Sequence, residues 1–337
     1  MPTETIEESA TEQLAYRHAI RAALEDEMEA DPTVLLFGED VASAGGVFKT
    51  NDGLPEKFGA ERVFNTPICE NAFVGAAIGM AVTGMRPVVE IMFSDFLPTA
   101  ADAIVNEMPK FRYMSGGQFK VPVTVRSMGG GGGRFGTQHS ATGESWYMGL
   151  PGLHVATASS PGAIYRILRT AIRDDNPTLV IEHKALFNSK GPVLREAPDV
   201  AAIGKARTLR EGSDATVVST LLMASRAAKA AESLGAEGVD LEVIDLEWIR
   251  PLDVDAVAAS VARTGRLVVA EEQHHAGGWG ATLISRLAQR GVQLRTPPRV
   301  VGIDEAMLVP YSPELEDRVI PSAERIAAVC AETVREG

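Results

Sequence analysis

Two side chains in this sequence are of types, and in settings, that suit proton chemistry: Glu70 and His139. Glu70 lies in residues 66–73, TPICENAF, at the start of a stretch rich in small residues, VGAAIGMAVTG. A carboxyl flanked by Ile68 and Phe73, with Phe93 and Phe96 arriving on the next apolar stretch, has its charged form disfavoured by desolvation, which suits it to hold a proton. The helix dipole alone also favours an acidic residue in a first turn, so the octapeptide by itself leaves both readings open. The small residues behind it let another backbone or a bound molecule come close. His139 lies beyond the glycines in a loop over residues 128–146 that carries five in succession, 129–133. Such a run is too unfavourable in entropy for ordinary scaffold, so the loop either approaches a ligand closely or moves. A histidine placed there is a candidate proton donor, and a plain surface-loop histidine is the alternative. The glycines form no GxxxxGK[ST], and no GxGxxG sits between a strand and a helix, which argues against nucleotide binding.

The elements that must position these residues follow from apolar periodicity. Residues 11–30 read as an amphipathic helix capped by Thr11 and stopped at Asp31-Pro32. Residues 34–37 read as a buried strand that delivers Gly38-Glu39-Asp40 at its carboxyl end, where parallel sheets bind ligands. Strands at 62–65 and 86–92 bracket the Glu70 helix, a helix over 93–114 is kinked by Pro109, and a strand at 121–126 leads into the His139 loop. A strand at 153–156, a helix at 161–174 and a strand at 178–182 follow. After a polar stretch with Pro192, Pro198 and Gly204, strands at 215–220, 241–245 and 267–271 alternate with helices at 223–234, 254–264 and 277–289. The expected organisation is a flexible tail (1–12), an α/β domain (13–185), a linker (186–207) and a second α/β domain (208–337), both doubly wound.

At 337 residues and 45% hydrophobic content, the chain exceeds the roughly 250 to 300 residues at which one core stops growing. A net charge of -13 argues against nucleic acid or an anionic membrane as partner and leaves room for a basic protein. Cys69 and Cys330 form no CxxC, so neither a zinc site nor a disulfide framework is expected, and a reducing, cytoplasmic compartment fits. The N-terminal residues are acidic and polar and no run of 18 apolar residues occurs, so neither signal peptide nor membrane span is expected.

Taken in order, TPICENAF, EIMFSDF, KFRYMSGGQF, TQHS, PGLHV, AIRDDNP, VIDLEWIRPLD and LVVAEE resemble the beta subunits of the decarboxylase component of 2-oxoacid dehydrogenase complexes, of pyruvate, branched-chain and acetoin type. The resemblance runs from about residue 13 to the C-terminus. It implies a thiamine diphosphate pyrimidine-binding-type domain followed by a transketolase C-terminal-like domain, working in an alpha2-beta2 heterotetramer that serves a lipoyl acyltransferase core. Glu70 then matches the carboxyl that hydrogen-bonds the cofactor's aminopyrimidine and promotes formation of its nucleophilic ylide. Phe96 matches the ring packed on the aminopyrimidine, and Ile68 and Met92 match lesser wall positions. His139 matches a histidine implicated in reductive acylation of the lipoyl group. Val123, Ala171, Ile172, Asp174 and Asn176 match a potassium site of oxygen ligands, for which a plain helix end and turn is the alternative. The family's alpha subunit carries the GDG motif and later Asn that hold magnesium and the diphosphate. No GDG occurs here, so half a site in this chain implies a partner with the other half.

The run of five glycines followed by Arg134-Phe135 departs from the family pattern and implies a more mobile loop. MFSDF, FRYMSGG and EHKALF look at least as much like the acetoin branch as the pyruvate branch, so an acetoin dehydrogenase beta subunit is the alternative function. From another class, the chain could be a non-catalytic docking subunit, a reading that requires Glu70 and His139 to be dispensable. His274 and His275 read as surface or interface residues.

Overall fold

The apolar runs of this chain alternate with amphipathic stretches, and each apolar run becomes a strand covered by helices. A computed structural model describes residues 11–195 and 200–336. Most of the expected tail, residues 1–10, and Pro198 of the expected linker lie outside the described residues. The strands are β1 Glu12–Ala15, β2 Val34–Gly38, β3 Val63–Asn65, β4 Arg86–Ile91, β5 Thr124–Gly129, β6 His154–Thr157, β7 Thr178–His183, β8 Lys190–Val193, β9 Arg207–Arg210, β10 Ala215–Ser219, β11 Leu241–Asp245, β12 Trp248–Arg250, β13 Leu267–His274 and β14 Arg299–Ile303. The helices are α1 Tyr16–Ala30, α2 Leu54–Phe58, α3 Glu70–Val82, α4 Phe111–Met114, α5 Glu144–Tyr147, α6 Pro161–Arg173, α7 Leu221–Gly235, α8 Val254–Thr264, α9 Trp279–Gln289, α10 Pro313–Val319 and α11 Ala323–Arg335.

The first sheet has the order β12-β6-β7-β5-β4-β2-β3, and the second β14-β13-β10-β11-β9. Both are parallel except for one antiparallel edge strand each, β12 against β6 and β9 against β11. A two-stranded ribbon pairs β1, from the start of the stretch expected to be the first helix, with β8, from the expected linker. The domains are not independent packing units. One buried cluster runs from Phe37, Val89 and Ile181 of the first sheet to Val218, Val269 and Trp279 of the second domain.

Three elements differ from the sequence reading. The first helix begins at Tyr16 with Ala15, not Thr11, in the cap position, because residues 12–15 are drawn into the ribbon. Residues 93–114 do not make one kinked helix. They form a 3-10 segment Ser94–Ala100, a π-helical turn Asp102–Glu107 and the short α4, as expected where Pro98 and Pro109 each remove a donor. The strand expected at 121–126 is displaced to Thr124–Gly129; Pro122 cannot donate to the ladder and Val121 N–H is spent on Asp175 O at 3.1 Å.

Candidate active site

β3 ends at Asn65, and the chain turns when Thr66 N–H donates to Gly38 O at 2.9 Å. α3 then starts at Glu70 with Cys69 as cap residue. Phe73, Val74, Ala77, Ile78 and Ala81 face the core. The opposite face, with Asn71, Ala72, Gly75, Ala76 and Gly79, is exposed, and a Cβ added at Gly75 or Gly79 would meet nothing within 4 Å. The sequence reading placed Glu70 between desolvating walls. The structure corrects this for the chain by itself: Ile68 is 82% exposed, Phe73 points into the core, and Glu70 remains partly open. The reason is local, since Asn65, Pro67, Ile68 and Cys69 are all exposed in the turn between β3 and α3.

Glu39, which the sequence placed at the carboxyl end of β2 without a role, faces Glu70. Burial and the Glu70 charge raise its carboxyl above the ordinary range, and its Oε1 is buried without a hydrogen bond. Two carboxyls sharing one corner favour retention of a proton there.

α3 packs against the Ser94–Ala100 segment, which brings Phe96 to the same end of the sheet. Met92, beside it at the end of β4, is half-buried. The rings of Phe93 and Phe96 meet the His139 ring edge-on, at 4.7 and 5.4 Å between centroids. His139 is therefore held in an aromatic corner and is only half exposed. Two further groups, missed in the sequence, fix its loop. Asp95 accepts the Ala141 N–H at 3.2 Å, and burial raises its carboxyl. Lys184 donates to the His139 carbonyl and lies over the Phe93 and Phe135 rings at 5.2 and 5.0 Å. Burial lowers its ammonium to about 8, against the pull of Asp95, Glu272 and Glu316. Both follow apolar runs that were read correctly as strands, and only the fold shows that those runs end at His139.

The residues of the expected potassium site also gather. α6 is capped by Ser160, which accepts the Ala163 N–H, and its last carbonyls emerge beside β5, where Val123 O accepts Thr178 N–H at 3.0 Å. Arg86 donates to the carbonyls of Ile172 and Asp174 at 3.0 and 3.1 Å, and Arg112 donates to Asn176 Oδ1 at 2.6 Å. Asp174 Oδ1 accepts both the backbone and the side-chain N–H of Asn176. Ala171 lies buried in the same last turn.

Comparison with known proteins agrees with this architecture. Residues 12–190 match the model of the transketolase pyrimidine binding domain, and residues 204–326 match that of the transketolase C-terminal domain. The chain is 39% identical to the acetoin:2,6-dichlorophenolindophenol oxidoreductase subunit beta of Cupriavidus necator, covering 96% of this chain and 98% of that one. It is 38% identical to the pyruvate dehydrogenase E1 component subunit beta of Rhizobium meliloti (94% and 70% covered) and 41% identical to the mitochondrial one of Pisum sativum (94% and 89%). In fold it is similar to a split gene transketolase solved as an inactive beta4 tetramer, with a TM-score of 0.77 at 24% identity over 96% of this chain and 98% of that chain. The ordered motifs, the two-domain architecture and these relatives together show that the chain belongs to the family of 2-oxoacid dehydrogenase beta subunits, of the pyruvate and acetoin dehydrogenase type.

Proposed function

We propose that this chain supplies the pyrimidine-binding half of a thiamine diphosphate site, and that an alpha subunit completes the site over the open face of α3. The observation that carries the reading is Glu70 at the N-terminus of a helix whose outer face is open at Gly75 and Gly79, next to a His139 held edge-on between Phe93 and Phe96. These residues fit an aminopyrimidine: a carboxyl for a ring nitrogen, and the half-exposed Phe96 ring for its face. When bound, thiamine diphosphate supplies the nucleophilic carbon and the electron sink for decarboxylation of a 2-oxoacid. Glu70 serves as the carboxyl that holds a proton toward the ring nitrogen. Phe96, Met92 and Ile68 orient the ring and exclude water once a partner covers them. His139 holds a proton for the lipoyl sulfur as the acyl group is transferred to the acyltransferase core.

The absence of GDG from the sequence supports assigning magnesium and the diphosphate to the alpha subunit of an alpha2-beta2 assembly. Val123, Ala171, Ile172, Asp174 and Asn176 are proposed to hold potassium through oxygen lone pairs not taken by Arg86 and Arg112. An unchanged melting temperature when potassium is exchanged for tetramethylammonium would remove that site. The acidic charge and two free cysteines support a cytoplasmic location; among the described residues no helix is long and apolar enough to cross a membrane.

Pyruvate, a branched-chain oxoacid and acetoin all remain candidate substrates, since relatives named for pyruvate and for acetoin lie at nearly the same identity. The test is to purify the tagged chain with its native partner and assay reduction of an artificial electron acceptor with pyruvate, acetoin and 3-methyl-2-oxobutanoate. Turnover that requires thiamine diphosphate and a GDG-bearing partner is the expected result, and the preferred substrate ranks the three. Tight cofactor binding by this chain alone would overturn the half-site reading.

A further inference from the structure

The five-glycine loop is tied to the second domain. Gly131 N–H donates to Glu272 Oε1 at 2.5 Å, and Gly132 N–H donates to Glu316 Oε1 at 2.9 Å. The guanidinium of Arg134 donates to Glu316 Oε2 at 2.5 Å and to Pro313 O at 2.9 Å. Glu316 is 0% exposed although it belongs to a short outer helix, so its charge depends on these donors for compensation. Arg134 has φ +62°, a left-handed conformation that a non-glycine residue adopts only under restraint, and Glu316 binds that residue's side chain.

Neighbours from both domains crowd the glycines of this loop. A Cβ at Gly130 would lie 2.0 Å from His183 Nε2, one at Gly131 2.8 Å from Ile320, and one at Gly136 2.3 Å from the Tyr311 ring. Ile320 and Tyr311 belong to the second domain. At Gly131 and Gly136 a close approach is thus made by this chain's own C-terminal region, and the loop, expected either to approach a ligand or to move, is fastened at residues 131, 132 and 134. Near its far end, Thr137 Oγ1 donates to Val309 O at 3.1 Å, and Lys184 holds the His139 carbonyl.

We propose that Glu316 and Glu272 are positioning residues for His139, holding the glycine loop by its backbone so that acyl transfer to the lipoyl group depends on the second domain. The effect on acyl transfer rests on the role proposed for His139; the effect on the loop does not. Glu272 also pairs with buried His183, so Glu316 is the residue to test.

In the assembled complex, Glu316→Ala and Glu316→Gln are compared with wild type by two measurements. Hydrogen exchange at the amides of residues 131–134 should quicken at least tenfold in Glu316→Ala and stay within threefold of wild type in Glu316→Gln, whose amide oxygen still accepts from Gly132. Reductive acylation of a lipoylated acyltransferase domain should fall at least tenfold in Glu316→Ala and recover in Glu316→Gln, while oxidation of the 2-oxoacid by an artificial acceptor changes less than twofold. Unchanged exchange in Glu316→Ala, or equal loss of both catalytic rates, overturns the proposal. Glu316→Gln losing as much as Glu316→Ala would also overturn it, and serves as the test if Glu316→Ala does not fold. His139→Ala separates the two claims: if it leaves lipoyl acylation intact, the role of His139 fails, and the exchange result still decides whether Glu316 holds the loop.

Discussion

His183 Nε2 lies 2.9 Å from Glu272 Oε2, joining the end of β7 in the first sheet to β13 in the second. His183 Nδ1 accepts the Ala185 N–H, so Nε2 carries the hydrogen that Glu272 receives. Burial alone would raise the Glu272 carboxyl, but the His183 ring and then the Gly131 N–H more than offset it and hold it below its ordinary value. Its contribution to stability is therefore present above the unfolded carboxyl range and lost as pH falls through the lowered value.

Removing one partner of that pair leaves a buried polar group uncompensated. Glu272→Ala is expected to destabilise the chain by about 3 to 5 kcal/mol, read as a lower midpoint in urea unfolding. A shift of under about 0.5 kcal/mol, the size of an ordinary surface change, would show that the junction does not hold the domains together.

Glu144 gives the opposite pH dependence. It is fully buried, and the Thr142 and Gln273 side chains beside it, which bond each other, offset that burial only in part. Burial pushes its carboxyl up from 4.5 to about 7. The folded chain then keeps a proton that the unfolded chain has lost, so this contribution is complete below the unfolded value and disappears as pH rises through 7. Glu144→Gln should be more stable than wild type at pH 8 by about 3 kcal/mol and nearly equal to it at pH 4.5. Equal melting temperatures at both pH values would refute the assignment. Glu271, raised by burial to about 7, keeps a slope of the same sign in the variant.

Glu70→Gln keeps the shape of the helix start and removes the acid. Turnover is expected to fall by about a hundredfold or more while assembly with the alpha subunit, read by sedimentation, is retained. Normal turnover with bound cofactor would contradict the proposed role of Glu70 and favour a docking subunit.

Arg86 closes the C-terminal end of α6 through three carbonyls and Asp175. Arg86→Ala is expected to cost about 1 to 3 kcal/mol, visible as a lower melting temperature. Because Arg86 occupies carbonyls of the proposed potassium site, removing its positive charge should leave potassium salts stabilising the variant at least as much as wild type.

The strands that carry the site were legible because parallel, doubly covered strands are apolar throughout: 34–37, 86–92 and 178–182 appear in the structure within a residue or so. The ribbon β1-β8 and the edge strands β9 and β12 were not, since they are short and polar or lie in turns that only tertiary pairing makes into strands. β14, α10 and α11 lie beyond the last element expected from the sequence, although α10 holds Glu316. At the site, Glu70, Phe96 and His139 could be picked out by residue type and motif. Asp95, Lys184 and Glu39 could not, because what distinguishes them is burial beside a segment distant in sequence. The glycine run stands out for its entropy, but what crowds it, the Ala141 carbonyl at Gly129, the His183 ring at Gly130 and Ile320 at Gly131, is brought there by the fold and includes residues far away in the chain.

β12, contributed by residues after the second domain has begun, completes the first sheet alongside β6. A fragment ending before residue 207 would leave His154–Thr157 as an unprotected border with free backbone donors and acceptors, a template for recruiting foreign strands. The pyrimidine-binding half should therefore resist separate expression, forming inclusion bodies when produced without the residues that follow it. Gene fission between the two halves would succeed only if the downstream piece retained Trp248–Arg250 and both were made together.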